Sequence, residues 1–183
     1  MKNVFPVWCV AGLLLASLVL PDAALAKVRA PRHLQNQQEQ GQAAGAQQQP
    51  KVVKTAYFTL DLADGWRLLK PVQSQNGAVS VLLDGPGHKG AVAINVMKAN
   101  LSAADIAKNM RTNMQKDKAT VDEPVEKDGL QEFGFSRGKA TGRAWIGANG
   151  KEAAAVTIFG DQEAGKALLK KLKPRDPKIF PRF

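Results

Sequence analysis

Two histidines and one cysteine are the only imidazole and thiol groups in the 183 residues. His88 lies in Asp84-Gly85-Pro86-Gly87-His88-Lys89-Gly90, a glycine-rich and basic segment that suggests a phosphate cradle. A P-loop binds phosphate because its backbone N–H groups and the following helix dipole converge on the anion. Here Lys89-Gly90 leads into an apolar, strand-like run instead, so a hairpin loop is expected. Asp84 and His88 could share a metal ion weakly, but no third ligand accompanies them. A Ser-His-Asp triad would have to use His88, since His33 falls in a Gln-rich stretch, and no GxSxG elbow is present. Asp122, Glu123 and Glu126 cluster around Pro124 and could form paired carboxylates, yet on an edge strand they should face water. No catalytic residue, cofactor site or metal site is assigned, and the chain is expected not to be an enzyme.

Binding chemistry has more to work with. Phe133, Phe135, Arg137, Lys139, Arg143 and Trp145 combine rings and cations, which on one sheet face could meet sugars, lipid headgroups or single-stranded nucleic acid. Strand alternation predicts otherwise: the rings turn inward and the cations form a positive face. At the chain's end, Lys170, Lys171, Lys173, Arg175, Lys178 and Arg182 surround Ile179, Phe180 and Phe183. Such a tail either docks on a partner or membrane surface, or frays into solvent. The candidate partner-binding residues are therefore Arg137, Lys139, Arg143, Lys170, Lys171, Lys173, Arg175, Phe180 and Phe183.

The elements that must position these groups are marked by their turns. Asn76-Gly77, Asp128-Gly129 and Asn149-Gly150 each separate extended-looking runs and suit the positive φ angles of tight hairpins; Asp64-Gly65 is a weaker turn. Several hairpins predict a largely antiparallel sheet. Phe58, Leu60 and Leu62 alternate with polar residues, and Trp66 to Leu69 reads as the hairpin partner of that strand. The runs 78–83, 91–97 and 153–159 are almost wholly apolar, as in central strands covered on both faces. Strands are also expected over 130–135 and 139–146, while Pro124 puts 121–127 at an edge or a break. Ser102-Ala103-Ala104-Asp105 resembles a capping box opening a helix, with Ile106, Ala107, Met110 and Met114 at helical spacing. The methionines read as core filler. A second helix starts at Asp161, carries Ala164, Leu168 and Leu172 on its apolar face, and is stopped by Pro174.

The flanks differ in kind. Lys2, the apolar run from Val4 to Leu20 and the small residues Ala24-Leu25-Ala26 form a signal-peptide pattern, so cleavage after Ala26 and a periplasmic or secreted location are expected. Cys9 lies inside that run, where a lipoprotein cysteine would not, and the mature chain would hold no thiol. Stability must then come from a hydrophobic core. Residues 27–54 read as a disordered Gln-rich linker, residues 55–173 as the folded domain and residues 174–183 as a basic Pro-rich tail. The formal net charge of +10 survives loss of the leader, which removes Lys2 and Asp22 together. Such a chain is drawn to acidic partners or anionic surfaces, and outside the cytosol nucleic acid is not expected among them.

The segment Phe58-Thr59-Leu60-Asp61-Leu62-Ala63-Asp64-Gly65-Trp66, the helix after the fourth expected strand, and the hairpin from Trp145 to Ile158 followed by Gly160-Asp161 and a last helix together resemble DcrB-type bacterial envelope proteins of the PsbP-like fold superfamily. The same fold is shared by a small nuclear-transport factor that binds the GTPase Ran. The resemblance covers residues 56–173 and rests on turns and packing rather than on a catalytic motif. It implies an α+β domain, an antiparallel sheet sandwiched by helices, and proteins that bind or assist rather than catalyse. DcrB-type proteins are often lipid-anchored, a pattern this chain does not follow. The expected function is that of an exported accessory or binding protein acting on an envelope protein. The alternative is a cationic binder of anionic envelope polymers or lipids, with an enzyme a distant third.

Overall fold

The Asn76-Gly77, Asp128-Gly129 and Asn149-Gly150 turns each join two paired strands, while Asp64-Gly65 closes no hairpin. The computed structural model of the chain describes residues 50–183. The expected leader, Cys9, His33 and linker residues 27–49 lie outside the described residues. The strands are β1 (Val52–Lys54), β2 (Phe58–Asp61), β3 (Arg67–Leu68), β4 (Gln73–Gln75), β5 (Ala78–Asp84), β6 (Gly90–Lys98), β7 (Thr120–Val121), β8 (Val125–Lys127), β9 (Leu130–Arg137), β10 (Ala140–Ala148), β11 (Glu152–Gly160) and β12 (Leu172–Pro174). The helices are α1 (Ala103–Lys116) and α2 (Gln162–Leu169). In the β8–β9 turn Asp128 and Gly129 sit at φ 53° and 77°, the two positive angles that match the twist of the flanking strands.

Nine strands form one antiparallel sheet, running β3, β5, β6, β11, β10, β9, β7, with β4 also on β5 and β8 also on β9. The long apolar runs occupy its middle: β6 pairs with β5 on one side and with β11 on the other. Both faces of β6 and β11 are covered, whereas β5, expected to be covered likewise, buries one face and leaves Ala78, Ser80 and Leu82 on the other half-buried. Val92, Ile94 and Val96 belong to one core with Val156, Ile158 and Leu168. On the opposite face, Ala144, Ile146 and Phe133 pack with Ala107 and Met114 of α1. Each fully buried aliphatic side chain contributes about 1.5–3 kcal/mol, so the thiol-free domain is held by these two layers.

Both helix starts follow the sequence. Ser102 Oγ accepts a hydrogen bond from the Asp105 backbone N–H at 3.1 Å, and the Asp161 carboxylate accepts one from the Ala164 N–H at 3.0 Å. The structure is thus a sheet-dominated α+β fold. Pro124 breaks the edge as expected, separating β7 from β8, and both pair with β9.

Four further expectations are corrected. Trp66 to Leu69 is not the hairpin partner of β2: β3 pairs with β5, Arg67 opposite Asp84. Both edges of β2 are already taken, by β1 and β12, in a separate three-stranded sheet. Residues 52–54, placed in the linker, form β1 of that sheet, with Val53 only 2% exposed. The second helix ends near Leu169, and Leu172 pairs with Leu60 in β12 rather than continuing the helix. Pro174 fits there because β12 is an outer strand. Residues 175–183 are irregular, as their prolines require, but they do not fray. Ile179 and Phe180 are 1% and 3% exposed within the core, and Phe180 packs edge-to-face on Phe58 at 5.9 Å between ring centres. The folded domain therefore extends beyond 55–173 at both ends.

Candidate functional site

The tail is seated by a missing side chain. A Cβ at position 147 would lie 2.4 Å from the Ile179 carbonyl oxygen and 2.6 Å from its Cα, so Gly147 lets the tail pass directly over β10. Phe183 then meets Trp145 edge-to-face, 5.0 Å between centres at 88°. Between the sheet, α2 and this tail lies a groove of about 740 Å³.

The register defines its floor. Trp145 pairs with Glu132, Arg143 with Gly134, and Lys127 with Leu130. Cross-strand partners point to the same side of a pleated sheet, so Lys127, Leu130, Glu132, Arg143 and Trp145 share one face. One wall is α2, where Glu163, Lys166 and Lys170 follow at helical spacing; the other is the tail, with Lys178 and Arg182. Phe133 faces away, toward α1. The rings of β9 and β10 are thus divided between the two faces, not gathered on one.

Six cations line the groove against three carboxylates. Two of the cations are clipped internally: Arg143 to Glu132 at 2.5 Å and Lys166 to Glu163 at 2.9 Å. Lys127, Lys170 and Arg182 form no ion pair among the described residues. Cations held around a half-enclosed groove act at a lower effective dielectric than on open surface. Chemically, the arrangement can hold an anionic ligand with apolar character; it assembles no nucleophile beside a general base.

The sequence-predicted residues separate into groups. Arg143, Lys170 and Phe183 come together in the groove. Phe180 also borders it, but its side chain is core, which withdraws it as a partner-binding residue. Arg137 and Lys139 sit exposed at the β9–β10 turn, outside the groove lining. Lys171 is exposed, and Lys173 pairs with Asp61 at 2.9 Å. The Lys173 hydrogen bond and charge hold the Asp61 carboxyl below its ordinary value. Arg175 is committed to Glu152 and lies over the Tyr57 ring, 5.1 Å from its centre. The Glu152 hydrogen bond raises the Arg175 pKa. Beside it, the Asn149 side chain donates to Asp176 at 2.7 Å. That bond, with the Lys178 backbone N–H, lowers the Asp176 pKa.

No family model matches the chain, and no curated protein matches it. A crystal structure of a protein from Bacteroides thetaiotaomicron VPI-5482 is similar over 70% of this chain and 49% of its own length, at 18% identity and a TM-score of 0.41. The chain therefore spans about half the length of that protein.

Sequence reasoning missed Lys127 and Lys166. Lys166 and Lys170 share one helical stripe, a signal that was available at i,i+4 spacing. Lys127 joins them only through the β8–β9 register. The Asp84–His88 pair does form, at 2.7 Å, but Arg67 occupies the same Asp84 oxygen at 2.9 Å. His88 is therefore engaged in closing its loop, and no group of three or more metal-ligating side chains occurs among the described residues.

Proposed function

We propose that this chain is a non-catalytic accessory or binding protein of the bacterial envelope, exported by its leader, that works by contact with a partner through the groove between β9–β10, α2 and the tail. The observation that carries this reading is the convergence of Lys127, Lys170 and Arg182, none in an ion pair among the described residues, around the Trp145–Phe183 floor. Unpaired cations around a concave site can pair with an anionic partner, and the half-buried Phe183 adds aromatic surface beside Arg182. The leader pattern and the charge of +10 support export and an anionic counterpart. The finer fold assignment, a PsbP-like sandwich of the DcrB type, belongs to the same proposal. Its support is the sequence resemblance together with α1 and α2 lying on opposite faces of the sheet.

Photo-crosslinking in intact cells tests the function. A photoreactive residue at position 170 should give an adduct of one discrete mass, and the same residue at exposed position 108 on α1 should not. Failure to form any adduct from position 170 would end the groove reading.

A second reading, a cationic binder of anionic lipids or polymers, is favoured by the cations outside the groove, Arg137, Lys139 and Lys171. Charge alone would then decide, and retention on anionic vesicles should fall steeply with salt. Contact within the groove should survive moderate salt.

A further inference from the structure

The groove face continues past its lip. Val125 is 63% exposed and pairs in register with Glu132, two residues from Lys127. It therefore stands on the same sheet face as Lys127, Leu130 and Trp145. The isopropyl side chain of Val125 stands open at this edge next to Lys127, above the buried Leu130 and Trp145, so the strip is cationic with one exposed apolar side chain. The strip also holds carboxylates of its own, Asp128, Glu132 and Glu163.

This mixture selects among anionic ligands. A polymer with a charge at every unit, such as a polyphosphate, would meet Asp128 as well as the cations, and would compete with Glu132 and Glu163 for Arg143 and Lys166. A polypeptide can place acids only where cations stand and set an apolar side chain on the exposed Val125. The spacings agree: Lys166 and Lys170 are about 6 Å apart along the helix axis, and alternate side chains of an extended peptide are about 6.6–6.8 Å apart.

The edge of the sheet adds main-chain recognition. The two-residue Asp128-Gly129 turn makes Lys127 and Leu130 a hydrogen-bonded pair, so Glu126 opposite Gln131 is a non-hydrogen-bonded pair. The N–H and C=O of Glu126 therefore point outward, along an edge with no strand partner among the described residues. An extended peptide can use both groups. The Glu126 side chain, one position from Val125 and Lys127, lies on the other face and does not repel acids in the groove.

We infer that the occupant of the groove is an extended polypeptide segment that presents acidic side chains at alternate positions on its groove face, with an apolar one on the same face against Val125. This rests on the groove reading above and adds the chemistry of the partner.

The test is fluorescence anisotropy of the purified chain with a short labelled peptide, Glu-Ser-Glu-Ser-Val, whose Glu and Val side chains share one face of an extended chain. Inorganic polyphosphate and phosphatidylglycerol vesicles serve as competing probes. The inference expects saturable peptide binding, and none to the same peptide with Gln for Glu. Lys170→Glu should weaken binding at least about tenfold by placing like charge in the groove. Val125→Ser should weaken it about fivefold by removing exposed apolar contact, an effect a pure charge site would not show. Both positions are exposed, and unchanged thermal unfolding of each variant confirms that folding is intact. Polyphosphate or vesicle binding without peptide binding would overturn the inference while leaving the groove reading standing. Binding of none of the three would overturn it as well, and crosslinking from position 170 would then judge the groove reading separately.

Discussion

Phe180→Ala should strip the groove of its far wall by unfastening the tail. The Phe180 side chain is 3% exposed and meets Phe58 at 5.9 Å in the core that also holds Leu60 and Ile179. Truncating a buried phenylalanine loses its transfer free energy and leaves a cavity, together about 3–5 kcal/mol. In a domain of this size each kcal/mol is worth roughly 3–4 °C, so the melting temperature should fall by about 10–20 °C. Thermal unfolding followed by far-ultraviolet circular dichroism measures the whole domain, and tryptophan emission reports on Trp145 beneath Phe183. Lys178→Ala, on the same segment but exposed, is the control and should shift stability by no more than about 0.5 kcal/mol. A Phe180→Ala loss under about 1 kcal/mol, within the range of ordinary surface changes, would mean that the tail is not docked. The groove as described would then lack a wall.

Further outcomes follow from single contacts. Gly147→Ala places a Cβ 2.4 Å from the Ile179 carbonyl oxygen, so it should cost about 1–3 kcal/mol and change Trp145 emission; an unchanged spectrum and melting curve would refute the close approach. Ser102→Ala removes the acceptor of the Asp105 N–H and should cost about 1 kcal/mol, read as a lower denaturant midpoint. Asp61 and Asp176 have lowered pKa values, so their contribution is complete above the unfolded carboxylate pKa of about 3.9. It is lost as pH falls through the lower folded values. Denaturant midpoints between pH 7 and pH 3 should therefore fall less steeply in Asp176→Asn than in the native chain; parallel curves would contradict that.

Local signals were legible and nonlocal ones were not. The Asn76-Gly77, Asp128-Gly129 and Asn149-Gly150 turns, the apolar runs that became β5, β6 and β11, and both helix caps are each written within a few residues. Their assignment needed no knowledge of distant chain. The partner of β2 could not be read in this way. Its neighbours are β1, from a stretch next to a Gln-rich segment, and β12, from beyond α2. Short strands such as Val52–Lys54 carry too few residues to show a period. The tail misled for a related reason: its prolines forbid regular structure, but irregular chain can still bury Ile179 and Phe180 when Gly147 opens the path. At the site, Arg143, Lys170 and Phe183 were each singled out, but as two unrelated surfaces. Only the passage of the tail over β10 joins them. The arginine and lysine residues near position 175 were drawn instead into ion pairs with Asp61 and Glu152, partners far away in sequence.

The central claim is that the groove itself makes the functional contact. Reversing two of its exposed charges together, Lys170→Glu with Arg182→Glu, and then measuring recovery of the crosslinked partner from cells alongside the melting temperature, tests it most directly. The account predicts that the partner is lost while the melting temperature stays within about 2 °C of the native value, as for surface substitutions generally. Undiminished recovery from a correctly folded double variant would contradict it.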